Sequence, residues 1–138
     1  MNMNSTLQLR EMGQSLWLDN IQRSDLTGGK LRTMIQEDGL AGMTSNPTIF
    51  MNAISKGREY QQQIKELAQA EKSSVEIYNK LTEDDIRSAC EIMMEVFERT
   101  GGNDGFVSIE LNPQIAYKTE KSIEESKRLF KEIDFPNL

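Results

Sequence analysis

Three short apolar runs that close on polar residues, each set apart from the next by helical periodicity, constrain this chain more than anything else in it. They are Leu16-Trp17-Leu18-Asp19-Asn20, Gly42-Met43-Thr44-Ser45-Asn46-Pro47 and Phe106-Val107-Ser108-Ile109-Glu110-Leu111-Asn112. Side chains alternate between the two faces of a strand. Ser15, Trp17 and Asp19 therefore share one face, which Gly42, Thr44 and Asn46 continue, as do Phe106, Ser108 and Glu110. The opposite face shows Leu16, Leu18, Ala41, Met43, Val107, Ile109 and Leu111, all apolar. One side of such a sheet packs under helices, while the other turns polar towards the strand ends.

The segments between fit that arrangement. Leu7, Leu9 and Met12 suggest a short helix over 6–13. Ser24-Asp25 offers capping chemistry for a helix with Leu31, Met34 and Ile35 on one face, closed by Gly39. Asn46-Pro47-Thr48 begins another helix with Pro near its first turn, where the missing N–H costs little. A long polar helical region over 58–81 carries Tyr60, Ile64, Leu67 and Ala68 on one face. Thr82-Glu83-Asp84-Asp85 resembles a capping box and is expected to start a further helix with the stripe Ile86, Ala89, Cys90, Met93 and Phe97. Gly101-Gly102 ends it. A last helix from Thr119 is expected to turn Ile123, Leu129, Phe130 and Ile133 inward. Strands over 15–19, 40–45 and 106–112 alternating with helices predict an α/β domain with parallel strands and right-handed crossovers. Polar residues gathered at successive strand ends are what a (β/α) barrel with its site at the C-terminal mouth produces.

Composition narrows the chemistry. At 138 residues the chain reads as one domain. A net charge of −6, with the cations scattered among acids, argues against nucleic acid. Without histidine, Ser-His and Cys-His catalysis and most transition-metal sites are excluded. Cys90, on an apolar helix face, reads as a buried structural thiol. No apolar run approaches the roughly 20 residues of a membrane span, and the first residues lack a signal peptide's apolar core. A cytoplasmic location with no membrane partner is the expectation.

Among the strand-end residues, Asp19 follows an apolar run, where a carboxylate needs partners; a strand-end turn former is the plain alternative. Glu110 stands among Val107, Ile109 and Leu111 in a strand-like segment from which Glu is usually depleted. It reads as an acid–base group or as an edge-exposed side chain. Asn46 before Pro47 is either a turn residue or a hydrogen-bonding group. Each alone is weak, but their common phase at successive strand ends is a stronger signal.

The stretches 13–20, 37–50 (including Thr44-Ser45-Asn46-Pro47-Thr48-Ile49-Phe50) and 105–110, together with Tyr117-Lys118-Thr119-Glu120 and the helix after it, closely resemble the amino-terminal third of transaldolases, most of all the longer bacterial and cyanobacterial branch. The resemblance implies a (β/α)8 class I aldolase-type TIM barrel, of which residues 1–138 supply the first three β/α units, with extra helices after the second strand. It implies transfer of a dihydroxyacetone unit from sedoheptulose 7-phosphate or fructose 6-phosphate to an aldose phosphate in the pentose phosphate pathway. A lysine Schiff base is the carrier, with no cofactor and no metal. In that scheme Asp19 takes the substrate hydroxyl proton, Glu110 shuttles protons through a water, and Asn46 hydrogen-bonds the dihydroxyacetone moiety, with Thr44 and Ser108 supporting.

The family's Schiff-base lysine belongs to a fourth strand. The lysines here (Lys30, Lys56, Lys65, Lys72, Lys80, Lys118, Lys121, Lys127 and Lys131) all fall in predicted helices or their flanking loops. A barrel of this kind needs roughly 250 residues. The chain is therefore expected to be a truncated portion, inactive alone, that self-associates or is complemented by the missing portion of the barrel. Two other readings stay open: a non-catalytic interaction module on the same scaffold, and a fragment of a fructose-6-phosphate aldolase-like enzyme.

Overall fold

A computed structural model describes residues 4–138. Strands β1 (Leu16–Asp19), β2 (Leu40–Thr44) and β3 (Phe106–Val107) form one parallel sheet in the order β1-β2-β3. The helices are α1 (Ser5–Glu11), α2 (Arg23–Thr27), α3 (Lys30–Thr33), α4 (Pro47–Lys56), α5 (Gln61–Gln69), α6 (Ser74–Arg99) and α7 (Thr119–Ile133). Parallel neighbours need a crossover, and helices lie between successive strands as the alternation predicts.

The expected side-chain phase holds. Trp17 pairs with Gly42 and Gly42 with Phe106; Leu18 pairs with Met43 and Met43 with Val107. The first set shares one face, where Trp17 remains 41% exposed. The second faces a core that includes Leu31, Ile35, Ile86, Ala89, Cys90, Met93, Leu129 and Ile133. Gly42 lets the Trp17 indole lie against the strand, since a Cβ on it would lie 2.4 Å from that ring.

Several boundaries differ from the sequence expectation. The helix expected after Ser24 is divided: Gly28 and Gly29 separate α2 from α3, and Gly29 sits at φ +80. The cap position is Gln22, without a side-chain hydrogen bond, while Asp25 lies in the first turn and pairs with Lys30. A π-type turn over Met34–Asp38 then closes on Gly39, at φ +71. The polar region over 58–81 is a 3-10 turn (Arg58–Tyr60), α5, a break and the opening turns of α6.

Nor does Thr82-Glu83-Asp84-Asp85 start a helix. The capping box is Ser73/Glu76, nine residues upstream of Thr82 by the numbering, and α6 runs unbroken to Arg99. Thr82 and Asp85 are buried inside it. In α7, Leu129 and Ile133 are buried, but Ile123 and Phe130 are about half exposed (49% and 53%). The inward stripe of α7 is thus narrower than predicted.

The expected third strand over 106–112 is paired only at Phe106–Val107. On the β2 side its support ends because Asn46-Pro47 turns away into α4. On the other side Val107 N–H donates to the Asn137 carbonyl at 2.9 Å. Asn137 is fully buried, and its amide donates to the Cys90 carbonyl at 3.0 Å and the Gly105 carbonyl at 2.8 Å. The chain therefore returns alongside β3 after α7.

Candidate active site at the strand ends

Register brings two of the candidate residues together. Asp19 and Thr44 are direct partners at the C-terminal ends of β1 and β2. The Thr44 hydroxyl donates to Asp19 Oδ1 at 2.8 Å. A carboxylate so placed is oriented by one neutral donor, and its second oxygen makes no hydrogen bond among the described residues. It can accept a proton or a hydrogen bond from a hydroxyl of a bound polyol.

Asn46 caps α4. Its Oδ1 accepts from Ile49 N–H at 2.9 Å, with the backbone extended (φ −148, ψ 166). Capping explains Asn at this position, and it leaves the amide NH2 as donor for a ligand. Ser45, absent from the sequence candidates, is buried and its hydroxyl donates to the Ser108 carbonyl at 2.9 Å. Ser108 N–H donates in turn to the Met43 carbonyl at 2.9 Å. Ser108 is thus held through its backbone. The signal for Ser45 is readable in hindsight: it sits in phase with Met43, on the packed face.

Glu110 lies beyond the paired part of β3, exposed, so the expectation of a strand glutamate is not met. The missing partner beyond Ser108 on the β2 side is the reason. Glu110 and Asn46 instead line one cavity of about 400 Å3 that also touches Phe50, Tyr78, Asn112 and Arg128. Asp19 and Thr44 are not on its wall. Four of the five candidates therefore fall in two groups, Asp19 with Thr44 and Asn46 with Glu110, and Ser108 joins neither. No lysine lines this cavity, and every lysine lies in a helix or a flanking loop.

A parallel α/β sheet with polar groups at the C-terminal ends of its strands is the arrangement of a (β/α)-barrel fold at its functional face. The comparisons make the family specific. The family model described as Transaldolase/Fructose-6-phosphate aldolase matches residues 16–138. The transaldolase of Thiobacillus denitrificans is 44% identical over 136 residues, which cover 99% of this chain and 38% of the relative. The Trichodesmium erythraeum transaldolase is 44% identical over 135 residues (98% and 36%), and that of Mycobacterium ulcerans 39% over 130 (94% and 35%). This chain belongs to the transaldolase/fructose-6-phosphate aldolase family. It spans little more than a third of the length of these relatives. Its three strands and their helices are accordingly the opening units of a TIM barrel. Among the described residues no helix is long and apolar enough to cross a membrane.

Proposed function

We propose that this chain supplies the acid–base part of a cytoplasmic transaldolase site, acting on sugar phosphates. The observation that carries the reading is the Thr44–Asp19 hydrogen bond at paired strand ends. In the transfer, a ketose phosphate loses its aldose portion when its C4 hydroxyl gives up a proton and the C3–C4 bond breaks. Asp19 takes that proton, with Thr44 fixing the carboxylate's orientation. The dihydroxyacetone unit stays on a lysine as a Schiff base until an aldose phosphate accepts it. Asn46 offers its amide to that unit, Ser108 lines the polar face, and Glu110 moves protons through a water as carbinolamine becomes imine.

Among the described residues no strand end carries a lysine. The covalent step is therefore assigned to a complementary portion of the barrel, and the chain alone is expected to be inactive. Incubation with fructose 6-phosphate and borohydride is expected to leave no specific adduct on it. The decisive test is a hybrid in which residues 1–138 replace the matching region of the Thiobacillus denitrificans relative. Transfer activity is expected, and Asp19→Asn should lower kcat by about 10²–10⁴-fold, the usual range for a general acid–base group. Full activity in the Asp19→Asn hybrid would refute the assignment. An inactive but folded parent hybrid would favour a non-catalytic module.

A further inference from the structure

A second cavity, of about 520 Å3, opens where the chain leaves β1 and where α4 ends. It begins at Asn20, the residue after Asp19, and lies between the start of α2 and the α4–α5 corner. Tyr60 and Ala53, both buried, line it alongside polar residues. Lys56 and Arg58 stand on its wall on either side of Gly57. Neither side chain makes a hydrogen bond or ion pair among the described residues. The side-chain amides of Asn20 and Asn52, also on the wall, are equally unpartnered.

The charge balance of this wall runs against that of the chain. The chain is −6 overall, yet Glu59 is the single carboxylate lining the cavity. Arg23, which lines it too, is committed to Asp85 at 2.7 Å. Two unspent cations against one carboxylate leave the opening locally positive. Gly57 keeps it open: a Cβ there would meet the Ala53 carbonyl at 2.7 Å and the Tyr60 ring at 2.8 Å. A concave wall with two free cations and two free amide donors is chemistry suited to a phosphoryl group.

We propose that this pocket binds a phosphoryl dianion, as inorganic phosphate or as the phosphate of a phosphate ester. Lys56 and Arg58 supply the charge, and Asn20 and Asn52 supply N–H donors. The site does not depend on the transfer chemistry proposed above, since its first ligand test is inorganic phosphate and not turnover. Its place beside Asp19 would put such a group at the rim of the strand-end face.

The test is a titration of the 138-residue chain, 15N-labelled, with inorganic phosphate, fructose 6-phosphate and fructose, followed by amide chemical shifts. Phosphate should move the amides around residues 20–24 and 56–60 and weaken with added salt. Lys56→Gln and Arg58→Gln, both exposed, should each raise the phosphate Kd by about tenfold, the scale of one charge-assisted contact. Lys127→Gln on α7 should leave it unchanged. Tighter binding of fructose 6-phosphate than of phosphate, with fructose silent, identifies an ester; equal or weaker binding identifies free phosphate, and both support the site. Shifts spread over the surface, or a Kd indifferent to both wall variants, would overturn it.

Discussion

Replacing Asp85 by Ala tests what holds the strand-end region in place. Asp85 is 2% exposed and accepts two strong bonds: Arg23 Nε at 2.7 Å and the Tyr60 hydroxyl at 2.6 Å. Arg23 also stacks over the Tyr60 ring, 4.4 Å from its centroid, and donates to Gln63 at 2.7 Å. Gln63 passes the network on to Asp84 at 2.7 Å. These bonds tie α2, the Arg58–Tyr60 turn and α5 to α6. Burial outweighs the hydrogen bonds from Tyr60 and Arg23 and pushes the Asp85 carboxyl above the usual range. The relevant figure is the cost of leaving its buried partners stranded. Removing one member of a buried pair costs about 3–5 kcal/mol. With a urea m value of about 2 kcal/mol/M, the unfolding midpoint should fall by about 2 M. Asp85→Asn keeps the shape and an acceptor, so its loss should be about half as large. Far-UV circular dichroism against urea measures both. An Asp85→Ala midpoint within about 0.5 M of the parent would refute the reasoning, because it would mean that Arg23 and Tyr60 rehydrate freely.

Burial, and then the bond to Asp85, raise the Tyr60 phenol well above its ordinary value. A group with a raised folded pKa contributes stability that is present below its unfolded pKa of about 10 and lost as pH rises beyond it. The parent midpoint should therefore fall above about pH 10 more steeply than that of Tyr60→Phe, which lacks this contribution. Burial also pushes the Cys90 thiol up to about 12. A disulfide reagent at pH 8 should leave it unmodified in the folded chain and react promptly in urea. The Ser73 backbone and hydroxyl hold the Glu76 carboxyl down to about 2. Its contribution is present above the ordinary glutamate pKa and lost as pH falls towards 2. Ser73→Ala should flatten that acid limb of the urea midpoint between pH 5 and 2.

The sheet was readable because its residues obey a strict two-residue period. Trp17, Gly42 and Phe106 fell on one face and Leu18, Met43 and Val107 on the other, and the register of the strands follows that division. What local periodicity could not supply were boundaries decided by neighbours. β3 is short because Asn46-Pro47 removes its partner, not because Ile109-Glu110-Leu111 dislikes extension. Thr82-Glu83-Asp84-Asp85 imitates a helix start since Asp and Thr are good caps, but its acidic side chains serve tertiary contacts. Asp84 accepts from Gln63 and Asp85 reaches Arg23 and Tyr60, all across more than twenty residues of sequence, while Thr82 bonds back to the Asn79 carbonyl of its own helix at 2.9 Å. The Asp19–Thr44 contact followed from the phase. The separation of Glu110 from Asp19 did not, since it depends on where β3 loses its neighbour.

Asp85 and Asp19 divide between fold and candidate chemistry by what their oxygens already hold. Asp85 is buried, shifted and surrounded by donors, the features that often mark an active-site carboxylate. Yet each of its oxygens already accepts from a group of the protein itself, and its burial leaves no opening for a ligand. Asp19 is exposed and holds one hydroxyl at 2.8 Å, with its other oxygen open on the uncovered face of the sheet. A base that must take a proton from a substrate needs that open lone pair more than it needs a low dielectric before the substrate arrives. Bound substrate can itself exclude water and strengthen the contact. The carboxylate worth testing for chemistry is therefore the exposed one, and the buried one is the test of the fold.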